Sequence, residues 1–231
     1  GGFGVLVDGT RFLCADRVFV RLVAINAVLY ATLMAYLSAA PFVLKSVLGM
    51  SVSAYTVVFA VCGLTVTVVV AIAGSQARRV SPARQVRVGL LCQLVVDVAL
   101  GAVAIALLRR PVSSTALLAV VVALLVLHVA CLGMSVGNLP ALALDRTGRW
   151  AGTGSALLGF TQFAAGGLAS PLVGLSGETS GLAFGITLIV LVVLANLMAL
   201  AGLRGPGEKE RLRAEREAAG RRRLGRDQVE G

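Results

Sequence analysis

Residues Thr115 to Gly137 read TALLAVVVALLVLHVACLGMSVG, without one Lys, Arg, Asp or Glu. Coiled as a helix at about 1.5 Å per residue, this stretch reaches about 35 Å, enough to cover the ~30 Å hydrocarbon core of a bilayer. Five more apolar segments of similar length stand beside it: about Val18 to Ala40, Val52 to Ala73, Val88 to Leu108, Gly152 to Leu175 and Gly181 to Leu203. Pro41, Pro82, Pro111 and Pro206 fall between or just after these segments, where helix breakers belong. Pro140 closely follows the Thr115 segment, and Pro171 lies inside the Gly152 segment, which it is expected to kink or end early.

The whole composition agrees. Of 231 residues, 58% are apolar and 14% charged, and the mean hydropathy is +0.91. Soluble domains run at about 45–50% apolar and about 25% charged. This chain has too little polar surface to cover itself in water, which excludes a water-soluble enzyme, a disordered chain and a secreted disulfide scaffold. The fold class expected is all-α: a polytopic membrane protein of six transmembrane helices over 18–203. A cytoplasmic linker segment, 1–17, precedes it and a charged cytoplasmic tail, 204–231, follows. Glu208 to Ala219 in that tail could form a charged helix with Glu/Arg pairs. Arg221, Arg222 and Arg223 could touch anionic headgroups.

The net charge of +10 would point to nucleic acid in a soluble protein. Here it has another use. With six spans, one side of the membrane carries 18 of the 21 Lys and Arg residues, including Arg78, Arg79, Arg84 and Arg87. The other side has only Lys45, Arg109 and Arg110. The positive-inside rule then places both termini in the cytoplasm and removes the case for nucleic acid. The chain begins Gly1 to Asp8 with no basic n-region, so no signal peptide is expected and an upstream part is expected to be missing. Cys14, Cys62, Cys92 and Cys131 form no CxxC pair and lie near no histidine cluster, so no metal site or cofactor is expected, only apolar packing.

No nucleophile–base arrangement, phosphate loop or metal-ligand spacing occurs in the spans, so no catalytic residue is named. Polar residues inside the bilayer are the informative ones, because each is costly unless it faces protein or water. Asp97 sits mid-span in QLVVDVALG, with Gln93 one turn before it on the same face. It reads either as a protonation site lining a cavity or as a carboxyl bonded between helices. His128, the only histidine, reads as a proton relay or as packing. Asn26, Asn138, Gln162 and Asn196 could bond a substrate or glue helices together. Tyr30 and Tyr36 could line a cavity or pack. Gly152, Ser155, Gly159, Gly166 and Gly167 give the fifth span a small face, suited to close packing or to sliding.

Three stretches resemble a known family. AYLSAAPFVLKSVLGMSVSAYTVVFAV, Ala35 to Val61, resembles the seventh-helix end and following loop of the Bcr/CflA drug-resistance transporters, of the major facilitator superfamily. Tyr36, Ser38, Pro41 and Phe42 match the family pattern, and Ala40 replaces its usual Ser. GNLPALALDRTGRWAGTGSALLGFTQFAAGGLASPLVG, Gly137 to Gly174, is similar to the family's tenth–eleventh helix region. Ala151, Gly152, Thr153, Ser155, Ala156, Gly159 and Gln162 match there, as does Asn138, but Gly137 takes a usual Pro position and Pro140 comes later. GSQARRVSPARQV, Gly74 to Val86, is similar to the degenerate second copy of the superfamily's basic loop.

The resemblance implies the C-terminal six-helix half of a twelve-helix transporter in the bacterial cytoplasmic membrane. It implies alternating access around a midplane site, with a proton gradient driving export of drugs or other amphipathic small molecules. The partners implied are the missing N-terminal half, the lipid bilayer and a small-molecule substrate. Tyr30, Tyr36, Asn138 and Gln162 are the implied substrate contacts, and Asp97 falls in a span that is usually peripheral in this architecture. A metabolite-specific transporter of the same superfamily, and a non-transporting six-helix scaffold or remnant, remain as alternatives.

Overall fold

A computed structural model describes residues 2–109, 115–175 and 181–202, and every regular element in them is helical. The helices are α1 (Gly2–Ala15), α2 (Arg17–Phe42), α3 (Val52–Gln76), α4 (Pro82–Arg109), α5 (Thr115–Val136), α6 (Asn138–Leu144), α7 (Ala151–Leu175) and α8 (Gly181–Gly202). Valine-rich runs such as TVVFAVCGLTVTVVVAIAG in α3 would be mediocre helix formers in water. In lipid the backbone has no water to bond, so an apolar run of this length closes its own hydrogen bonds as a helix.

The six expected segments correspond to α2, α3, α4, α5, α7 and α8. Among the described residues, four stretches are long and apolar enough to cross a membrane: Arg17–Ser46, Val52–Gln76, Pro82–Ala106 and Thr115–Leu144. α8 adds a shorter apolar stretch, Gly185–Leu200. α7 is 25 residues long, but Thr, Ser, Gln and many Gly residues dilute its apolarity.

Local signals set the ends. Asp16 caps α2, its Oδ1 accepting from the amides of Val18 (2.8 Å) and Phe19 (3.3 Å). Its Oδ2 accepts from Arg146 Nε at 2.7 Å, which ties the segment before α7 to the start of α2. Partial burial alone would raise the Asp16 carboxyl. The bonds from Arg146, Val18 and Phe19, with the Arg146 charge, outweigh it and hold the group below the ordinary aspartate value. Ser51 caps α3, accepting from the Ala54 amide, and Pro82 opens α4 at a position where a missing N–H costs nothing.

Several features differ from the sequence expectation, among them the start of α4 at Pro82 rather than about Val88. α2 runs through Pro41 to Phe42 and continues as a π-turn, Val43–Val47, because a wider turn absorbs the missing proline donor. Gly49, at φ +65°, then reverses the chain. α7 also passes Pro171 and reaches Leu175, so that proline does not end it early. Segment 1–17 contains the helix α1, which packs on α7 with Gly9 facing Trp150 and Thr153. The tail and its expected helix lie outside the described residues.

The buried core falls into two apolar layers. One joins Phe19, Leu22 and Ile25 of α2 with Leu90 of α4, Leu132 of α5, Leu158 of α7 and Ala199 of α8. The other joins Tyr36 and Ala40 of α2 with Cys62 of α3, Leu100 of α4, Leu125 of α5 and Leu188 of α8. Early residues of α2, α4 and α7 thus share a layer with late residues of α5 and α8. The helices alternate in direction, as a chain threading back and forth must. α2 lies centrally, packed along α7 and α8, while α3 leans chiefly on α5. Only Cys62 and Ala73 of α3 are buried, and Val57, Leu64, Val68 and Ile72 are exposed around it. An apolar surface this continuous is an aggregation hazard in water and is solvated in lipid.

Candidate functional site

Between the two layers, α4 and α5 bring together the two residues that sequence reasoning kept apart. Asp97 Oδ1 and His128 Nδ1 lie 2.5 Å apart, and both side chains are 0% exposed. An ionised carboxylate only accepts, so in that state Nδ1 carries the proton and donates it. Gln93, one turn before Asp97, is also fully buried. Tyr36 of α2 faces the His128 ring at 5.7 Å between centroids and stacks on Phe59 of α3 at 5.7 Å with 9° between planes. The pair therefore touches, directly or through one ring, four of the helices. Cys131 and Cys62 are buried nearby, and all four cysteines are free thiols.

The site is under-bonded. Among the described residues, Asp97 Oδ2, His128 Nε2 and both amide atoms of Gln93 have no hydrogen-bond partner. Each such buried atom costs about 1–3 kcal/mol relative to a satisfied one. A cluster serving only as helix glue would be expected to close these bonds, as Asn196 does by donating to the carbonyls of Leu90 (3.0 Å) and Val192 (2.8 Å). No group of three or more His, Cys, Asp or Glu residues fit to hold a metal occurs among the described residues.

A second polar feature is the α2–α7 seam. Asn26 Nδ2 donates to Gln162 Oε1 (3.2 Å), Tyr30 meets Phe163 edge-on, Gly166 lies under Met34, and Ser38 Oγ and Ser170 Oγ are 2.5 Å apart. Contacts recur about every four residues on both helices and advance together, so α2 and α7 run parallel along one face each. Tyr30 and Gln162 sit half-buried in this seam. Tyr36 lies instead beside His128. Asn138 donates to Gln85 Oε1 (3.0 Å) and to the Met134 carbonyl (2.7 Å), which bolts the α5–α6 break to the start of α4. The four candidate substrate contacts thus occupy three places.

The small residues of α7 divide as well. Gly166 packs on α2, but a Cβ at Gly152, Gly159 or Gly167 would meet nothing within 4 Å, and Ser155 is exposed. Other close helix approaches use glycines that the sequence did not single out. Gly89 faces α5, and Gly185 of α8 faces Gly101 of α4.

Over 194 residues the chain is 25% identical to a Bacillus subtilis (strain 168) protein described as an uncharacterized MFS-type transporter, YdgK. The likeness is to a major facilitator transporter. It covers 84% of this chain and 46% of that protein, so the chain spans about half the length of the curated relative it matches. No family model matches the chain, and no solved structure matches it. The apolar helices and this likeness together fit an integral membrane protein. The likeness is to the superfamily and says nothing of the Bcr/CflA subtype.

Proposed function

We propose that the chain is the C-terminal six-helix half of a proton-coupled secondary transporter that exports amphipathic small molecules by alternating access. The observation that carries this is the coverage: a match along most of this chain takes up just under half of an MFS-type transporter. The alternating helix directions support six crossings, α7 and α8 included. In this reading the other half packs beside this one, in the same chain or a separate one. Both termini lie on the cytoplasmic side of a bacterial plasma membrane, where 18 of the 21 basic residues then fall. Tyr30 and Gln162 in the α2–α7 seam would then meet the substrate, an aromatic face beside an amide. Tyr36 and Asn138 act from inside the half.

The test is efflux of ethidium, an amphipathic cation, from efflux-deficient cells that express the complete protein. Energised cells are expected to export the dye, and an uncoupler that collapses the proton gradient is expected to abolish export. Efflux unchanged by the uncoupler would contradict proton coupling. Transport of one polar metabolite with no effect on ethidium would favour the metabolite-specific reading.

A further inference from the structure

We propose that Asp97, His128 and Gln93 form a proton-binding site, held between α4 and α5, that loads and unloads one proton during the transport cycle. Its use in coupling rests on the transport reading above; its capacity to bind a proton does not.

Three observations carry the site. Asp97 and His128 are joined through Oδ1 and Nδ1, so one oxygen and one ring nitrogen are committed. The other oxygen, the other ring nitrogen and the Gln93 amide are buried and unpartnered. And the charge has nowhere else to go. α5, α6 and α8 carry no Lys, Arg, Asp or Glu; neither does α3. On α4 the nearest basic residue before Asp97 is Arg87, about 15 Å along the axis. On α2 the basic residues are Arg17 and Arg21, in its first turns. The other titratable groups on the surrounding helices are the thiols of Cys62, Cys92 and Cys131 and the phenols of Tyr30, Tyr36 and Tyr55, all uncharged in their ordinary state near neutrality.

The charge count then fixes what the site does. With a carboxylate and a neutral imidazole, the site has one net negative charge and no counter-ion on these helices among the described residues. One proton, added to the free ring nitrogen, makes it neutral overall. Gln93 offers an NH2 donor group and an acceptor oxygen and can bond to either state. A sodium ion would also neutralise the site, but it wants several oxygen ligands, and a single carboxylate and one amide oxygen supply few. Tyr36 passes the change onward. Its ring lies against His128 and against Phe59, so reorientation of the imidazole presses on α2 and α3.

The experiment is 15N NMR of the complete protein in lipid nanodiscs, with histidine label confined to this segment, where His128 is the sole histidine. That assignment needs no variant. The imidazole signals are expected to move between two protonation states as pH is taken from about 5 to about 9, and to be unaffected by exchanging sodium for choline. Asp97→Asn is expected to shift that transition by about one pH unit or more. An imidazole that keeps one state across the whole range overturns the inference, and so does a sodium-dependent shift at fixed pH. Uncoupler-sensitive efflux with a silent His128 overturns this site and leaves the transport reading standing. A titrating His128 in a protein that moves no substrate upholds the site and refutes the transport reading.

Discussion

His128→Leu is expected to destabilise the bundle by about 3–5 kcal/mol, the cost of leaving the buried Asp97 carboxylate without a partner. Asp97 would keep its place between α4 and α5 and lose the one partner it has there. Asp97→Leu is expected to be milder, because a neutral imidazole is cheaper to bury than a carboxylate. The double variant, Asp97→Leu with His128→Leu, is expected to recover most of the loss, since two apolar side chains replace a site that is only partly bonded. The check is a double-mutant cycle of unfolding in mixed micelles. Polar contacts between transmembrane helices couple by about 0.6 kcal/mol on average, with a maximum of about 1.7. Coupling well above that range identifies a hydrogen bond to a buried carboxylate; additive single effects would reduce Asp97 and His128 to two independent packing residues.

Gly89→Val has the next largest expected effect. A Cβ there would lie 2.8 Å from Ser135 Oγ, 3.0 Å from Met134 Cβ and 3.1 Å from the Cys131 carbonyl. The hydroxyl could turn away, but the carbonyl belongs to the α5 backbone and cannot. Overpacking of this kind costs about 1–3 kcal/mol. It also wedges α4 from α5 two turns from Asp97, so loss of the Asp97–His128 contact should accompany the loss of stability. Gly167→Val is the control. Nothing lies within 4 Å of its Cβ, and its effect should stay within about 0.5 kcal/mol. Equal effects at the two positions would mean that α4 and α5 do not approach as closely as described.

The contrast between these glycines shows where sequence reading stops. Apolar length is local, so the all-helical fold and its long apolar stretches were legible in the chain. So was the oddity of Asp97 and His128, because each is costly in lipid whatever surrounds it. Their pairing was not. They stand 31 positions apart on different helices, and no spacing rule links them. Contacts between helices depend on rotation about each axis, and an all-round apolar helix gives no stripe from which to read it. The same lack hid Gly89, Gly101 and Gly185 while Gly152, Gly159 and Gly167 drew attention by clustering. One trace of the seam was present: Asn26, Tyr30, Met34 and Ser38 recur every four residues, as do Gln162, Gly166 and Ser170. Reading those two series against each other would have paired α2 with α7.

The central claim is that all six long helices cross the membrane, α7 and α8 included. Side-specific thiol labelling in cells tests it most directly. In protein with Cys14, Cys62, Cys92 and Cys131 replaced by alanine, single cysteines would be placed at Ser53, Ser81, Ser114, Arg149 and Ser176. The account predicts that Ser53→Cys, Ser114→Cys and Ser176→Cys react with an impermeant reagent from outside, while Ser81→Cys and Arg149→Cys react only after the membrane is opened. Arg149→Cys and Ser176→Cys reacting from the same side would contradict it, leaving α7 on one face of the bilayer and the chain short of a transporter half.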